Sequence, residues 1–464
     1  MTSQKTLDEY IMKKETPNAD KQPIPQYKIT GFYKETLFQE TEIGKIPKEW
    51  RLVKFKEVSE IRKGERISES VKSMAFIPME AIPDNSLYAK YELRSVDEVK
   101  SYVYCEPGDI LLAKITPSFE NGKQGIVPEE LQGKIVLATT EVYPIKCKNI
   151  DKYFLFYLLK YSPIRSKLVS LMRGTTGRKR VPREALEELL LPHPPITEQR
   201  RIAEILSTVD KTIEGVDGVV TRLERLKKAL MRELLTGRVR VREEDGRLVF
   251  HRETQFQETP IGKIPGEWQI VRIGDVTRIE TRSLIPAHGA KYYYIGLEDI
   301  ESDTGRIPKP VDVLTDGAEI KSAKYVFTSK HVLYGKLRPY LNKVALPSRD
   351  GICSTDILPI LPLTKLILRE YLAYVLRHER FVTYATARMK GTNHPRVNPN
   401  DVLEYKFPLP PISEQQEIVN TLINVDKWIE YMKRRKEKLE RLKHGLMDLL
   451  LTGRVRVRVK PASS

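Results

Sequence analysis

A direct repeat limits what this chain can fold into more than any other feature of its sequence. The segment FQETEIGKIPKEW, Phe38–Trp50, recurs as FQETPIGKIPGEW, Phe256–Trp268. PHPPITEQRRI at 192–202 recurs as PLPPISEQQEI at 408–418, and RLERLKKALMRELLTGRVRVR at 222–242 recurs as KLERLKHGLMDLLLTGRVRVR at 438–458. Self-similarity at a nearly fixed interval is the signature of a repeated structural unit, so the sequence indicates a tandem duplication.

The two segments between these boxes, 51–191 and 269–407, resemble each other far less. Short echoes remain at corresponding places: LLAKITP at 111–117 with LYGKLRP at 333–339, and MRGTTGRKRVP at 172–182 with MKGTNHPRVNP at 389–399. Thr140 and Glu141 correspond in the same way to Thr355 and Asp356. We therefore expect the two inserts to share a fold while presenting different side chains.

Length and charge narrow the class of protein. A chain of 464 residues exceeds the roughly 250 to 300 residues at which one hydrophobic core stops growing, so two or more domains are expected. The 79 Lys and Arg residues against 62 Asp and Glu give a formal net charge of +17, which favours an extended polyanion as partner. No apolar run approaches the roughly 20 residues of a membrane-spanning helix, and the N-terminus lacks the apolar stretch of a signal peptide. These patterns favour nucleic acid over a membrane as partner, and the cytoplasm as compartment.

The sequence carries no recognisable motif of a catalytic or metal site. It has no GxxxxGK[ST] phosphate loop, no glycine-rich dinucleotide motif after a strand, no HExxH metal motif, and no Asn-Pro-Pro-Tyr tetrapeptide typical of amino-methyltransferases. Cys105, Cys147 and Cys353 show no CxxC or Cys/His spacing, so free, buried thiols are expected. We therefore expect neither a catalytic constellation nor a metal site.

Two long helices are predicted at the second and third boxes. Thr197 and Ser413 each follow Pro-Pro-Ile and are interpreted as helix N-caps. Each helix is expected to run about 40 residues and to end at a Thr-Gly pair, 236–237 or 452–453, where glycine takes the left-handed C-terminal turn. At about 1.5 Å per residue such a helix is roughly 60 Å long. The first helix is therefore interpreted as a spacer of fixed length between the two inserts.

Apolar residues in these helices recur at alternating four- and three-residue steps, which is the heptad pattern of a coiled coil. Lysines interrupt the seam at Lys227 in the first helix and at Lys436 and Lys443 in the second. If the second helix returns antiparallel to the first, an approximate two-fold axis relates the repeats and the chain mimics a symmetric dimer. The predicted seam comprises Ile202, Leu206, Val209, Ile213, Leu223, Leu230 and Leu234 in the first helix, and Ile418, Leu422, Val425, Ile429, Leu439, Leu446 and Leu450 in the second.

Basic residues cluster at corresponding places in the two inserts and are the candidates for DNA contact. Arginine forks pair with phosphates or guanine edges, and an Asn amide pairs with adenine through two hydrogen bonds. A single basic residue is more often a solvated or phosphate-contacting side chain than a base reader, so the prediction depends on clustering in both copies. The candidates are Lys114, Thr116, Arg173, Thr175, Arg178, Lys179, Arg180 and Arg183 in the first insert, and Lys336, Arg338, Lys390, Thr392, Asn393, His394 and Arg396 in the second.

With the paired IGKIPxEW boxes, the paired PPI[TS]EQ boxes and the paired LTGRVRVR endings around two variable segments, the sequence resembles the specificity subunit of type I restriction-modification enzymes. The resemblance extends from about Lys34 to Val459. It implies an α+β fold in which two similar target recognition domains of mixed α/β structure are separated by two long antiparallel coiled-coil helices, with a pseudo-two-fold axis from the tandem repeat. The boundaries expected on this basis are an N-terminal extension at 1–33, recognition domains at 34–195 and 241–411, a central spacer helix at 196–240, and a C-terminal spacer helix and tail at 412–464.

The resemblance also implies partners and cofactors. Each recognition domain would read one half of an asymmetric, interrupted site in double-stranded DNA, and the helices would set the spacing and dock two modification subunits. Those subunits bind S-adenosylmethionine and methylate adenine, while restriction subunits add ATP-driven translocation and cleavage. S-adenosylmethionine, ATP and Mg would therefore belong to the partners, and this chain is expected to be non-catalytic, without a cofactor or a membrane partner.

Two other functions stay open at this point. An autonomous nuclease or methyltransferase would need its own active site, which the missing motifs disfavour. A scaffold whose heptads bind partner helices would carry its positive charge incidentally. Its binding would then be indifferent to salt, whereas phosphate-driven binding falls steeply with ionic strength.

Overall fold

We describe the protein from a computed structural model, which covers residues 31–62, 73–95, 98–99, 101–175, 177–308, 310, 312–320 and 322–458. Most of the predicted N-terminal extension (1–30), the end of the predicted tail (459–464) and Thr176 lie outside these described ranges. Packing divides the described chain into two compact units: unit 1 comprises the described residues of 31–216 and 435–458, and unit 2 comprises those of 217–434. The boundaries predicted above follow the repeat rather than packing, and they stay a prediction.

Two helices are far longer than the rest, and they are the two that the repeated boxes predict. They contain 39 and 40 residues. Short 3-10 helices lie at Met79–Ala81, Glu129–Leu131, Gly317–Glu319 and Pro339–Leu341. The α-helices of the described residues are α1 (Phe55–Val58), α2 (Lys152–Lys160), α3 (Ser162–Ser170), α4 (Arg183–Glu187), α5 (Ile196–Leu234), α6 (Ile273–Val276), α7 (Arg369–Arg377), α8 (Glu379–Ala387), α9 (Pro399–Leu403) and α10 (Ile412–Leu451).

Short β-strands form the rest of the regular structure in both units. The strands before α5 are β1 (Phe32–Lys34), β2 (Phe38–Thr41), β3 (Gly44–Pro47), β4 (Arg51–Lys54), β5 (Ser59–Ile61), β6 (Ser73–Ile77), β7 (Glu92–Ser95), β8 (Val103–Cys105), β9 (Ile110–Ala113), β10 (Gln124–Ile126), β11 (Val136–Ala138), β12 (Val142–Cys147) and β13 (Leu190–His193). The strands after it are β14 (Val239–Glu244), β15 (Arg247–Arg252), β16 (Phe256–Gln257), β17 (Ile264–Pro265), β18 (Gln269–Arg272), β19 (Thr277–Ile279), β20 (Ser283–Leu284), β21 (Lys291–Tyr292), β22 (Tyr294–Ile295), β23 (Thr315–Asp316), β24 (Lys324–Phe327), β25 (Val332–Gly335), β26 (Val344–Ala345), β27 (Gly351–Cys353), β28 (Ile357–Pro362), β29 (Lys406–Leu409) and β30 (Val455–Val457).

The main sheets of the two units share one topology. Unit 1 has the strand orders β10-β9-β12-β5 and β7-β6-β11-β8, and unit 2 has β26-β25-β28-β19 and β20-β24-β27-β22. In the second sheet of each unit, one strand pairs in parallel with an earlier strand (β11 with β6, β27 with β22) and antiparallel with another (β8 or β24). The strands β6, β11 and β8 thus correspond to β22, β27 and β24. The fourth strand differs, because β7 pairs with β6 at one edge in unit 1, whereas β20 pairs with β24 at the opposite edge in unit 2. The prediction that the inserts share a fold is confirmed.

The frame around the inserts also repeats, although the chain connects it differently in each unit. In unit 2 the strands β14 and β15 form a hairpin, with Val239 opposite Arg252. In unit 1 the corresponding strands are β30 and β1, with Val457 opposite Phe32. Unit 1 is thus closed by strands from the two ends of the described chain.

The ends of the long helices complete the core of each unit. In unit 1 Ile202 from α5 and Leu450 from α10 pack in one apolar cluster with α2. In unit 2 Leu234 from α5 and Ile418 from α10 pack in the corresponding cluster with α7. All the predicted seam residues are buried or half-buried. The clusters of the two units include the outer seam residues, such as Leu206 and Leu422. The coiled-coil seam itself stays a prediction.

The lysines Lys227 and Lys443, which interrupt the seam, are paired with aspartates on the facing helix. In unit 1 Lys443 Nζ lies 2.5 Å from Asp210 Oδ1, and the hydroxyl of Tyr157 donates to Asp210 Oδ2 at 2.7 Å. Removing one partner of a buried pair leaves an uncompensated charge, so these contacts favour one register of the helices within the unit. The same contacts, at 2.6 and 2.8 Å, join Lys227 and Tyr374 to Asp426 in unit 2.

The two long helices run antiparallel within unit 2. Lys227 of α5 pairs with Asp426 of α10, and the earlier residue Glu224 pairs with the later residue Lys433 at 2.9 Å. Residue numbers therefore rise along one helix as they fall along the other, as the resemblance implies.

The prediction that Thr197 and Ser413 cap the long helices is wrong by two residues, because the capping positions are Pro195 and Pro411. The helices begin at Ile196 and Ile412, so Thr197 and Ser413 lie in the first turn. The preceding residue is Pro195 in the first helix, and its carbonyl accepts the backbone N–H at position 199 at 3.0 Å. Proline lacks an N–H and has a fixed φ, so the second proline of the box can precede the first turn directly.

Glutamines of the same box tie each long helix to its unit. The side-chain oxygen of Gln199 accepts the backbone N–H of Asp151 at 2.8 Å, just before α2. The side-chain oxygen of Gln415 accepts the backbone N–H of Leu368 at 2.9 Å, just before α7. This shared contact explains why the glutamine recurs in both boxes.

Two features expected from the sequence concern membranes and thiols. No helix within the described ranges is both long enough and apolar enough to cross a membrane. The three cysteines are free, with Cys105 and Cys353 buried and Cys147 half-buried. Burial raises the pKa of the Cys147 thiol to about 12.

The Thr-Gly pairs end both long helices, as predicted. Gly237 and Gly453 have φ values of +70° and +71°, in the left-handed region that favours glycine. A Cβ atom on Gly237 would lie 2.4 Å from Pro265 Cγ, and one on Gly453 would lie 2.4 Å from Pro47 Cγ. Backbone conformation and space therefore both require glycine.

We expect Gly237→Ala and Gly453→Ala to lower the free energy of unfolding. The left-handed backbone costs about 1–2 kcal/mol with a side chain, and overpacking costs about 1–3 kcal/mol more. The matched control is Gly445→Ala within α10, where an added Cβ meets no atom within 4 Å, and it should stabilise by about 1 kcal/mol. Chemical denaturation followed by circular dichroism measures all three. Wild-type stability of either of the first two variants would contradict this account.

Candidate nucleic-acid interface

In unit 1 the two groups of predicted site residues lie side by side. The backbone N–H of Thr116 donates to the carbonyl of Lys179 at 2.9 Å. Arg173 and Arg180 exchange backbone hydrogen bonds of 2.9 and 2.8 Å, which closes the loop between them. We call Lys114, Thr116 and the loop 173–180 basic surface 1.

Unit 2 brings its predicted residues together in the same way. The backbone N–H of Arg338 donates to the carbonyl of Pro395 at 2.8 Å. Lys390 and Arg396 exchange backbone hydrogen bonds of 2.8 and 2.9 Å. We call Lys336, Arg338 and the loop 390–396 basic surface 2.

An ion pair with two parallel hydrogen bonds anchors each loop, and we call it the carboxylate clamp. Arg180 Nε and Nη2 donate to the carboxylate of Glu141 at 2.9 and 2.7 Å. Arg396 Nε and Nη2 donate to the carboxylate of Asp356 at 2.6 and 3.0 Å. The Glu141 and Asp356 side chains are 28% and 24% exposed, so water screens these pairs less than it screens open surface pairs. The Arg180 guanidinium lowers the pKa of Glu141.

The clamp residues Glu141 and Asp356, just before β12 and β28, also accept a backbone hydrogen bond from the lysine that follows the neighbouring strand. The backbone N–H of Lys114 donates to the carbonyl of Glu141 at 3.0 Å. The backbone N–H of Lys336 donates to the carbonyl of Asp356 at 2.9 Å. Each clamp therefore joins the basic loop to the strand segment beside it.

Three predicted site residues have surroundings unlike those of the loop side chains. Lys114 is half-buried with Nζ 5.0 Å from the centre of the Tyr143 ring, and burial lowers its pKa. Thr116 Oγ1 is buried without a hydrogen-bond partner among the described residues. Arg183 lies outside the loop, at the start of α4, where Nε donates to Glu187 at 2.7 Å.

The predicted residues of both loops and Arg338 are exposed, Lys336 is half-buried, and the forks of Arg180 and Arg396 are held by the clamps. Arginine presents five donors in a planar fork that matches phosphate and base edges. Whether any of these side chains contacts DNA stays a prediction. The exposed residues are Arg173, Thr175, Arg178, Lys179 and Arg180 on surface 1, and Arg338, Lys390, Thr392, Asn393, His394 and Arg396 on surface 2.

Sequence reasoning missed Glu141 and Asp356 as members of the site. The signal was present, because Thr140-Glu141 and Thr355-Asp356 are one of the faint echoes between inserts. Arg388, which the sequence also places in this basic stretch, lies beside surface 2 with its guanidinium 3.7 Å from the centre of the Tyr384 ring.

A family model matches this chain twice. The type I restriction modification DNA specificity domain matches residues 47–225 and 265–441. Each match covers one insert and continues into the long helix that follows it.

Individual proteins resemble the chain over most of its length. The type I restriction enzyme MjaVIII specificity subunit of Methanocaldococcus jannaschii is 26% identical, over 93% of this chain and 98% of the relative. A chain from a structure of type I restriction-modification complex assembly and conformational transition has a TM-score of 0.53 at 19% identity, covering 88% of this chain and 99% of that one. The specificity subunit from M. genitalium has a TM-score of 0.51 at 14% identity, covering 86% and 96%. The two structures show likeness of fold.

We expect Glu141→Gln to distinguish the effect of loop positioning on DNA affinity from the effect of surface charge. The variant removes one negative charge beside a basic surface, so affinity for unrelated DNA should hold or rise. Affinity for the recognition sequence should fall several-fold, because a neutral amide holds the Arg180 fork more weakly than a carboxylate does. Fluorescence anisotropy with both duplexes measures this, and Lys179→Ala, which removes a positive charge, should weaken binding to both. An equal loss on both duplexes for Glu141→Gln would refute the clamp's positioning role.

Proposed function

Since this chain belongs to the type I restriction modification DNA specificity family, we propose that it is the subunit that selects the DNA sequence for a type I restriction-modification complex. Each unit reads one half of a bipartite site in double-stranded DNA, and the two halves differ. The chain itself is non-catalytic. Modification and restriction subunits supply the chemistry, together with S-adenosylmethionine, ATP and Mg.

The observation that carries this proposal is the pair of basic surfaces, which share a scaffold and differ at their tips. Both loops are held by the same carboxylate clamp. Surface 1 presents Arg178 and Lys179, whereas surface 2 presents Asn393 and His394. An arginine fork matches guanine O6 and N7, and an Asn amide matches adenine N6 and N7. Two surfaces with unlike donors therefore suit two unlike half-sites.

The charge of the chain supports DNA as the ligand. A formal net charge of +17 favours a polyanion, and phosphate contacts make such binding fall steeply with salt. A scaffold with an incidental charge would lack this dependence. Two modification subunits and the restriction subunits complete the proposed set of partners.

Methylated-adenine mapping tests the proposal and separates the two surfaces. In cells that express this chain with its cognate modification subunits, we expect one asymmetric bipartite motif with a fixed gap. Arg178→Ala should relax one half of the motif and Asn393→Ala the other, because each bidentate base contact contributes about 1–3 kcal/mol of discrimination.

The matched control is Arg247→Ala, an exposed arginine on β15 outside both basic surfaces, which should leave the motif unchanged. Methylation without any sequence preference in wild-type cells would overturn the proposed function. Relaxation of both halves by either single substitution would count against the assignment of one half to each unit.

We expect a heptad deletion in both long helices to change the gap while both half-sites stay the same. Deleting 215–221 from α5 and 431–437 from α10 keeps the heptad register and both lysine–aspartate pairs. Seven residues span about 10 Å of helix, which corresponds to roughly three base pairs of duplex. The same methylation mapping reads the gap. An unchanged gap in a folded, active deletion variant would show that the helices do not set the spacing.

A further inference from the structure

Two apolar grooves lie at equivalent places in the two units, apart from the basic surfaces. Groove 1 in unit 1 has a volume of about 230 Å³, and groove 2 in unit 2 has a volume of about 260 Å³. Each is lined by the Leu-Thr at the end of a long helix, by an isoleucine of the first box and by a proline of the second. These residues are Leu451, Thr452, Ile43 and Pro192 in groove 1, and Leu235, Thr236, Ile261 and Pro408 in groove 2.

The size of the grooves favours a protein side chain as the occupant. Both volumes are below the about 300–1,000 Å³ of pockets that hold small molecules. Apolar side chains complete the lining, with Leu158 and Ile164 in groove 1 and Val375 and Phe407 in groove 2. Burying apolar surface in such a groove is favourable in proportion to the area removed from water.

The charges at the grooves favour an acidic segment around that side chain. Lys45 and Lys167 line groove 1, where Glu42 is the one acidic lining residue, and Arg380 and Lys406 line groove 2. Opposite charges across a contact speed association and reject wrong partners. An apolar side chain flanked by carboxylates therefore fits both grooves.

Groove 2 also holds an unused hydrogen-bond donor. His378 is buried, and its Nε2 has no partner among the described residues. Its Nδ1 accepts the backbone N–H of Arg380 at 3.3 Å, so the ring hydrogen of the neutral form lies on Nε2. Burial lowers the pKa of His378 to about 4, which keeps the ring neutral. Because this nitrogen is shielded from the surface, a carbonyl of a bound segment can accept its hydrogen only after the lining side chains shift.

We propose that grooves 1 and 2 each bind one copy of the same segment, an apolar side chain with acidic neighbours, carried by the modification subunit. The inference rests on the proposed function, because it assigns to two modification subunits their places on this chain. The repeat explains the stoichiometry: the basic surfaces differ because they meet different DNA, whereas the grooves keep the same framework residues because they meet the same protein twice.

Native mass spectrometry of the full chain with its cognate modification subunit tests the proposal. Wild type should bind two copies. Ile43→Asp and Ile261→Asp should each weaken one copy by at least about tenfold, since each buries a charge in an apolar groove, and the double variant should lose both. Ile43→Ser and Ile261→Ser, which add no charge, should weaken the same copies less. Ile285→Asp, at a residue in unit 2 that is 79% exposed, is the matched control and should bind two copies.

The outcomes separate the groove proposal from the proposed function. A folded double variant that binds two copies with wild-type affinity overturns the grooves as docking sites and leaves the DNA-reading function intact. A single variant that loses both copies equally, with an unchanged circular dichroism spectrum, also overturns two independent sites. Wild type that binds no modification subunit and yields no bipartite motif overturns the proposed function itself. If the Asp variants misfold, wild-type binding by the folded Ser variants overturns the grooves.

Discussion

One arginine joins three separate segments of the frame in each unit, and it is buried in unit 1 and 13% exposed in unit 2. In unit 1 Arg456 Nε and Nη2 donate to the carboxylate of Glu198 at 2.7 and 2.9 Å, and Nη1 donates to Glu35 at 2.7 Å. The indole N–H of Trp50 donates to the same Glu198 at 3.1 Å. Although burial alone would lower it, the carboxylates raise the pKa of Arg456. A buried charge left without its partners is strongly destabilising, so strand β30, the first box and the start of α5 must be present together.

The same cluster in unit 2 explains why the boxes recur. Arg240 donates to Glu414 at 2.7 Å and to Glu253 at 2.7 Å, and Trp268 donates to Glu414 at 3.0 Å. Trp268, Glu414 and Arg240 come from the first, second and third repeated boxes, and Glu253 lies in the short link after the third. Each of them is hydrogen-bonded to another member of the cluster. A change in one box leaves an unpaired group in another, whereas a residue at a loop tip has no such partner. The frame is therefore repeated as a set, and the inserts are free to differ.

Much of the fold could be predicted because its signals are local or repeated. The helix lengths and the glycine ends follow from spacing within single segments. The ion pair of Lys443 could not be predicted, because its partner Asp210 lies on the other long helix and only packing brings the two together. The clamp between Arg180 and Glu141 was missed for the same reason. The predicted start of the first long helix was wrong because Thr197 has the sequence context of a helix cap. The contact that fixes this helix end, from Gln199 to the backbone before α2, is distant in sequence.

The clamp shows how one scaffold can present two different sets of side chains to DNA. Loop 390–396 is one residue shorter than loop 173–180, and its clamp uses an aspartate in place of a glutamate. Both loops nevertheless exchange the same pair of backbone hydrogen bonds at their base. The base of each loop is thus fixed by charge and backbone pairing, while length and composition vary only beyond it. Among the described residues, the clamp arginines meet the tips at backbone carbonyls, from Arg180 Nη1 to Arg178 and from Arg396 Nη1 to His394. Side chains at the tips can therefore change while these contacts stay.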